Sequence, residues 1–367
     1  MTKTDHPLAA IRRTLRRRKL DALLVGQPQN RRYLSGYTAA DTSINESSGV
    51  LLIPAVGDPL LFTDSRFDLQ AVAEATGFEV RLYPRGLLAL LETVLPKLKI
   101  RRLAFESHYL LHATFQKLAK MAARQRVELV PFTDLVERLR VRKSAAELAA
   151  IEQSVRLNEE VFLEIYRGLR PGMSERQVAH AIENCMRRKG ASGPSFDTMV
   201  ASGPNGALPH AVPSERLLRE GEPIVIDMGL VLAGYCSDMT RTVVLGTPDE
   251  KTVVLIRLVR RAQLAGLAAL KAGVTGREVD RAARAIIAAG GYGNRFGHGL
   301  GHGVGLAVHE APSLNKRYRR RLAAGMVVTV EPGIYLPDWG GVRLENMAVV
   351  TGDGHRLLNR DTTFLDI

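Results

Sequence analysis

Three short runs in the second half of the chain limit what it can fold into more than any other feature. The first, IVIDMGLVLAGYCSDMTRTVVL (224–245), and the third, VVTVEPGIYLPDWGGVRLENMAVV (327–350), read as hairpins, each carrying a pair of candidate ligand acids at strand or turn positions. These acids are Asp227 and Asp238 in the first, Glu331 and Glu345 in the third. An acid at the end of a buried apolar run is unfavourable unless something compensates it. Four carboxylates brought to one centre without a countercharge could not all ionise, because like charges raise one another's pKa. Two divalent cations would balance them. An oxygen-rich set with one imidazole suits Mn²⁺ or Co²⁺. It suits a structural zinc site poorly, since cysteine ligands are missing.

The run between the hairpins, GHGLGHGVGLAVHE (297–310), carries His298, His302 and His309. The first two are four apart, as in helical zinc motifs, but Gly297, Gly299, Gly301, Gly303 and Gly305 argue against a helix. The segment is expected to be extended or looped, with its backbone close to a neighbour. A phosphate-cradling loop is a poor rival: no G-x-G-x-x-G register fits, and the chain has no Gly-Lys dipeptide.

With 367 residues, 46% of them hydrophobic, the chain is long enough for two domains. Residues 1–136 alternate strand-like runs (21–26, 49–54, 59–64, 80–84, 102–106) with helical ones (8–19, 65–77, 87–98, 112–125), which argues an α/β domain. A composition shift at 137–146 reads as a linker, and 147–367 as a second, α+β domain. The long helix predicted there over 144–169 opens with Ser144 and Glu147 at capping-box spacing. Further helices are expected at 171–190, about 250–271 and 276–290. Each half of the second domain then has helices followed by a hairpin with such an acid pair, a hint of internal duplication with the halves facing each other.

No run approaches 18 consecutive apolar residues, so no membrane-spanning helix is expected. The first twenty residues lack the apolar stretch of a secretory signal. Cys185 and Cys236 are too few for a disulfide framework, which fits a reducing cytoplasm. Net charge is +13. The basic clusters at 12–19 and 317–321 have no interleaved aromatics for base stacking, so a solvated Arg-rich surface is preferred over nucleic-acid binding.

The stretches IDMG, YCSDMTRT, GHGLGHGVGLAVHE, VEPGIY and GVRLEN resemble the signature of the metal-dependent pita-bread peptidases: prolidase, aminopeptidase P and methionine aminopeptidase. The likeness covers residues 143–367. NRRYLSGYTAA (30–40) and FTDSRFDLQA (62–71) resemble, more loosely, the creatinase/prolidase N-terminal domain, which favours the Xaa-Pro branch. The resemblance implies a pita-bread catalytic domain with pseudo-twofold hairpin halves. It implies metal ligands at Asp227, Asp238, His302, Glu331 and Glu345, with Asp238 and Glu345 bridging two ions. Mn²⁺ is the first choice and Co²⁺ or Zn²⁺ the alternatives. It places His210, His298, His309 and Arg343 around the substrate. Arg343, two residues before Glu345, is expected on the same strand face, where it orients that ligand or meets a substrate carboxylate.

The activity implied is hydrolysis of the bond between an N-terminal residue and proline, with Glu331 passing the proton. His298 and His309 would bind the carbonyl oxygen or oxyanion, and His210 would wall the proline pocket. YCSDMTRT tilts the reading to an Xaa-Pro aminopeptidase over an Xaa-Pro dipeptidase. A non-catalytic binding scaffold is the remote alternative, disfavoured because all five ligand positions are kept, as is the metal-free creatinase branch. The family's N-terminal domain often builds dimers, so a homodimer is expected.

Overall fold

The computed structural model describes residues 6–362, which form two compact units that divide between Arg140 and Val141. In the first unit the elements run α1 (Pro7–Arg17), β1 (Ala22–Val25), α2 (Pro28–Ser35), β2 (Val50–Pro54), β3 (Leu60–Thr63), α3 (Asp68–Glu74) and β4 (Glu79–Leu82). They continue with α4 (Leu87–Lys97), β5 (Arg102–Glu106), α5 (His112–Arg124), β6 (Glu128–Phe132) and α6 (Glu137–Arg140). The strands form one mixed sheet in the order β4-β3-β2-β1-β5-β6. Its strands β1, β2 and β3 are buried at every position because both faces are covered. Leu23, Val25, Leu51 and Ile53 face one core with Ile11 and Leu15 of α1. Ala22, Leu24, Leu52 and Phe62 face another with Leu91 of α4 and Leu118 of α5.

α2 is an element the apolar pattern does not signal. Its largest inward residue is Arg31, fully buried. The guanidinium is compensated by Asp41 at 2.8 Å and by the carbonyls of Gly26, Gly49 and Ala39. The start of α2 is capped from β5. Glu106 accepts the N–H groups of Gly26 and Gln27 at 2.7 and 2.8 Å, and Asn30 Nδ2 at 2.6 Å.

The second unit opens with α7 (Ala145–Gly168), whose capping box of Ser144 and Glu147 is formed, and α8 (Glu175–Arg188). Then come β7 (Gly193–Pro194), β8 (Met199–Ser202), β9 (Pro223–Met228), β10 (Leu230–Leu232), β11 (Tyr235–Cys236) and β12 (Met239–Val244). The plan repeats with α9 (Glu250–Ala269), α10 (Gly276–Ala289), β13 (Gly301–Gly303), β14 (Glu310–Leu314) and β15 (Val327–Val330). β16 (Gly333–Leu336), β17 (Gly340–Arg343), β18 (Asn346–Val350) and β19 (His355–Leu357) complete it. In the first half α7 and α8 bury Phe162, Val178 and Ile182 against Ile224, Ile226 and Met239 of the sheet β12-β9-β8. In the second, α9 and α10 bury Leu255, Val259 and Ala283 against Val328, Val330 and Ala348 of the sheet β14-β13-β15-β18-β19. This is the smaller α/β domain followed by an α+β domain of two similar halves that the sequence points to.

Segment 137–146, expected as a linker, divides between the units. Residues 137–140 are the helical turn α6, while Arg142 bridges to Met326 and Lys143 forms a buried ion pair with Glu310 at 2.5 Å. Among the described residues no helix is long and apolar enough to cross a membrane.

Candidate metal centre

Each half-sheet delivers its acids at strand ends. Asp227 lies near the end of β9 and Asp238 just before β12, which pairs with β9 in antiparallel register (Thr240 opposite Asp227). Glu331 directly follows β15 and Glu345 directly precedes β18, its partner (Val330 opposite Asn346). β12 and the second half then meet: the Glu345 N–H donates to the Thr240 carbonyl at 3.1 Å. Four acids from two hairpins therefore share one buried centre.

The glycine-spaced run supplies the histidine. It is not helical, and His302 sits in β13. Its glycines are required by close backbone approach. A Cβ on Gly301 would lie 2.1 Å from the Thr329 carbonyl oxygen, and one on Gly303 2.3 Å from that of Ala311. This presses His302 against the acids, with Nε2 3.5 Å from Asp238 and 3.4 Å from Glu331. Its Nδ1 donates to the Gly303 carbonyl at 3.1 Å, so Nε2 presents a lone pair to the carboxylates.

Asp238, His302 and Glu345 each offer a ligand atom within 4.8 Å of the others. Burial, and then the neighbouring acids, raise the pKa of Asp238 and of Glu345 well above the carboxylate range. Burial pushes Glu331 up to about 8, against the pull of Arg343. Burial, and then His309, lower His302 to about 4, so it is neutral and free to ligate. Asp227 Oδ1 and Glu345 Oε1 are buried with no hydrogen-bond partner among the described residues. Unpartnered buried carboxylate oxygens, beside a cluster of two acids and a neutral imidazole, fit a divalent cation.

The surrounding groups fix these ligands. Thr240 Oγ1 donates to Glu345 Oε2 at 2.7 Å and accepts Arg343 Nε at 3.1 Å. Thr329 Oγ1 donates to Glu331 at 3.1 Å and accepts the His302 N–H at 3.0 Å. Arg343 is 2% exposed and reaches Asp227 at 2.6 Å, the Tyr335 hydroxyl at 2.9 Å and the Pro209 carbonyl at 3.2 Å.

One expectation is corrected. Arg343 and Glu345 do not lie on one continuous strand: β17 ends at Arg343, β18 begins at Asn346, and the guanidinium holds Asp227 rather than Glu345. Strand pairing lapses at Leu344 and Glu345, and the two side chains meet through Thr240.

The remaining histidines take different places. His298 Nδ1 donates to Gly299 O at 2.7 Å, and Nε2 accepts the Tyr335 hydroxyl at 2.8 Å; burial lowers its pKa to about 4. His309 stands edge-on to His302, ring centres 4.2 Å apart, and no described residue takes up its ring nitrogens. His210 is exposed, just past the 3₁₀ turn at 203–207, in the loop tied to the centre through Pro209.

Thr240, Thr329 and Tyr335 were not singled out from sequence. The signal for the threonines was there: each lies two residues from an acid in a strand-like run, hence on its face.

Residues 149–352 match the model of metallopeptidase family M24, and residues 7–142 that of the creatinase/prolidase N-terminal domain. The chain is similar to an Xaa-Pro dipeptidase of Pyrococcus horikoshii, 34% identical over 345 residues that span 93% of each protein. It is similar in structure to an Xaa-Pro dipeptidase from Bacillus anthracis (TM-score 0.90, 36% identity, 97% of each chain). It also resembles an X-Pro aminopeptidase from Thermotoga maritima (TM-score 0.86, 36% identity, 95% of this chain and 98% of that one).

Proposed function

We propose that this chain, which belongs to metallopeptidase family M24, hydrolyses the peptide bond between an N-terminal residue and proline as an Xaa-Pro aminopeptidase. The observation that carries this reading is the cluster of Asp238, Glu345 and the neutral imidazole of His302, with Glu331 3.4 Å from the same ring and one unpartnered buried oxygen each on Asp227 and Glu345 among the described residues. Asp227, Asp238, His302, Glu331 and Glu345 would hold two divalent ions, Mn²⁺ before Co²⁺ or Zn²⁺, with Asp238 and Glu345 shared. Such ions supply Lewis acidity toward a carbonyl and bring the pKa of water into the neutral range.

The chain's own groups divide the rest of the work. Thr329 fixes one oxygen of Glu331 and leaves the other to take a proton from the attacking water and pass it to the proline nitrogen. His309, with its ring nitrogens uncommitted, would donate to the scissile carbonyl oxygen. His298 donates from Nδ1 to Gly299 and accepts the Tyr335 hydroxyl at Nε2, so in this tautomer it acts by holding Tyr335, and donating to a carbonyl oxygen would require the proton to move to Nε2. The Xaa-Pro bond is a tertiary amide with no N–H to recognise, so selectivity rests on a wall for the ring. We assign that role to His210, whose loop is tied to Arg343 through the Pro209 carbonyl.

The second reading is an Xaa-Pro dipeptidase. The relatives bearing the two names are equally similar, at 36% identity each. Rates on an Xaa-Pro dipeptide and an Xaa-Pro-Xaa tripeptide separate them. Preference for the tripeptide supports the aminopeptidase, preference for the dipeptide the second reading, and cleavage of neither in a metal-loaded sample refutes both. Two Mn²⁺ per chain by elemental analysis is expected. Two buried cysteines in no disulfide suit a reducing cytoplasm, and a homodimer is the assembly proposed.

A further inference from the structure

The segment that carries His298 is anchored in the core by Phe296 and Leu300, while the histidine between them sits in irregular backbone. Residues 296–300 lie between a 3₁₀ turn (Gly293–Arg295) and β13, in no helix or strand. Glycines flank the histidine on both sides, and a Cβ on Gly297 would meet nothing within 4 Å. Such a stretch gains no rigidity from side-chain packing at these two positions.

Its main chain nevertheless ends on one ion pair of α10. Arg284 Nη1 donates to the Phe296 carbonyl and Nη2 to the His298 carbonyl, each at 2.7 Å. The guanidinium carbon lies 4.0 Å from the centre of the Phe296 ring. On its other edge Arg284 grips Asp280, one turn earlier, at 2.9 and 2.7 Å. Asp280, 1% exposed, also accepts the Leu300 N–H at 3.2 Å. Three main-chain groups spanning the histidine are thus held by two side chains of a packed helix. Only a planar fork reaches two carbonyls and a carboxylate at once; a lysine offers a single point charge.

The contacts continue inward. His298 Nε2 accepts from Tyr335, whose oxygen accepts from Arg343, which holds Asp227. We propose that Arg284 and Asp280 are positioning residues for the active centre, acting through His298 and Tyr335 on Arg343 and Asp227. The inference rests on the hydrolase reading above, because Asp227 and Arg343 matter to turnover only there.

The test is a double-mutant cycle in the metal-loaded enzyme: Arg284→Lys, His298→Ala and the pair, with Asp280→Asn as a second perturbation of the clamp. Kinetics on an Xaa-Pro-Xaa peptide, metal content and thermal midpoint are measured for each. Arg284→Lys is expected to lower kcat/KM by roughly 10- to 100-fold, as a misplacement of about 1 Å does, with metal content unchanged. In the His298→Ala background the same change should cost less than about 2-fold, since the route is already cut. Full activity in Arg284→Lys and Asp280→Asn, or the same factor in both backgrounds, overturns the proposal. Histidine ring ¹⁵N spectra of the zinc-loaded protein give a readout free of turnover. Loss of the Nδ1–H form of His298 in Arg284→Lys supports the clamp, and an unchanged signal refutes it. A wild-type protein that cleaves neither Xaa-Pro substrate sinks the hydrolase reading instead, leaving the spectral result to judge the clamp alone.

Discussion

Replacing Thr240 by valine removes one hydroxyl from the centre and little else. The side chain is fully buried and the shape is kept, but two contacts go: the 2.7 Å bond to Glu345 Oε2 and the 3.1 Å bond from Arg343 Nε. Glu345 Oε1 is already unpartnered, so Thr240 is the side chain that fixes this carboxylate. A hydrogen bond to a charged group contributes about 1.5–3 kcal/mol. Arg343 loses less, because Asp227, Tyr335 and Pro209 still hold it. If the loss falls on ligand orientation, metal affinity drops by about 10- to 100-fold, at 1.4 kcal/mol per factor of ten. Calorimetric Mn²⁺ titration of the metal-free protein measures this directly. Thr242→Val is the control from the same strand face. Thr242 Oγ1 bonds only the main chain of Arg343, donating to its carbonyl at 2.9 Å and accepting its N–H at 3.0 Å. It should reduce the urea midpoint but leave Mn²⁺ affinity within about threefold. Equal Mn²⁺ affinity in Thr240→Val and wild type would refute the assignment of Glu345 as an oriented ligand.

Saturating divalent metal, at 1,000 times Kd, should stabilise the fold by about 4 kcal/mol, seen as a higher thermal midpoint that chelation reverses. Lys143→Met should destabilise by about 3–5 kcal/mol in urea, because Glu310 is left charged and buried (side chains 1% and 8% exposed); adding Glu310→Gln should recover part of it. Glu106 gives a pH test far from the metal ligands in sequence. Burial raises its pKa to about 7 from 4.5, so the folded state holds the proton more tightly than the unfolded chain. That contribution is fully present below pH 4.5 and is lost as pH rises through 7, a swing of about 3 kcal/mol. Urea midpoints of Glu106→Gln should therefore vary less between pH 5 and 8 than those of wild type, and parallel curves would refute the shift.

What the sequence made legible follows from which groups compensate one another nearby in the chain. The ligands of the proposed centre could be nominated because acids closing apolar runs are anomalous at their own positions, and glycines around His302 are anomalous in any helix. The long helices carried their own start signals, as Ser144 with Glu147 did. α2 was not legible, since three of its four buried residues are polar and the largest, Arg31, finds most of its partners in residues 39–49. The place of Arg343 was misread for a related reason. Two residues on one strand share a face, but β17 ends at Arg343 and β18 begins only at Asn346, past Glu345. Asp280 and Arg284 looked like an ordinary helical i,i+4 pair, and nothing local says that the main chain of residues 296–300 ends on them.

The same threonine explains why two half-sheets behave as one centre. Residue 240 belongs to the first half, yet it grips Glu345 of the second twice, its carbonyl on the amide N–H and its hydroxyl on the carboxylate. Arg343, also from the second half, returns the link by holding Asp227 of the first. Glu345 and Asp227 each also keep a buried oxygen with no partner among the described residues. The halves are therefore stitched by hydrogen bonds that leave one lone-pair face of each acid unspent. A cation entering such a site need not draw the halves together, so its binding energy is not consumed in reorganisation. Weakening the stitch should then appear first as lost metal affinity, before any loss of fold, which is the order the Thr240 and Thr242 variants separate.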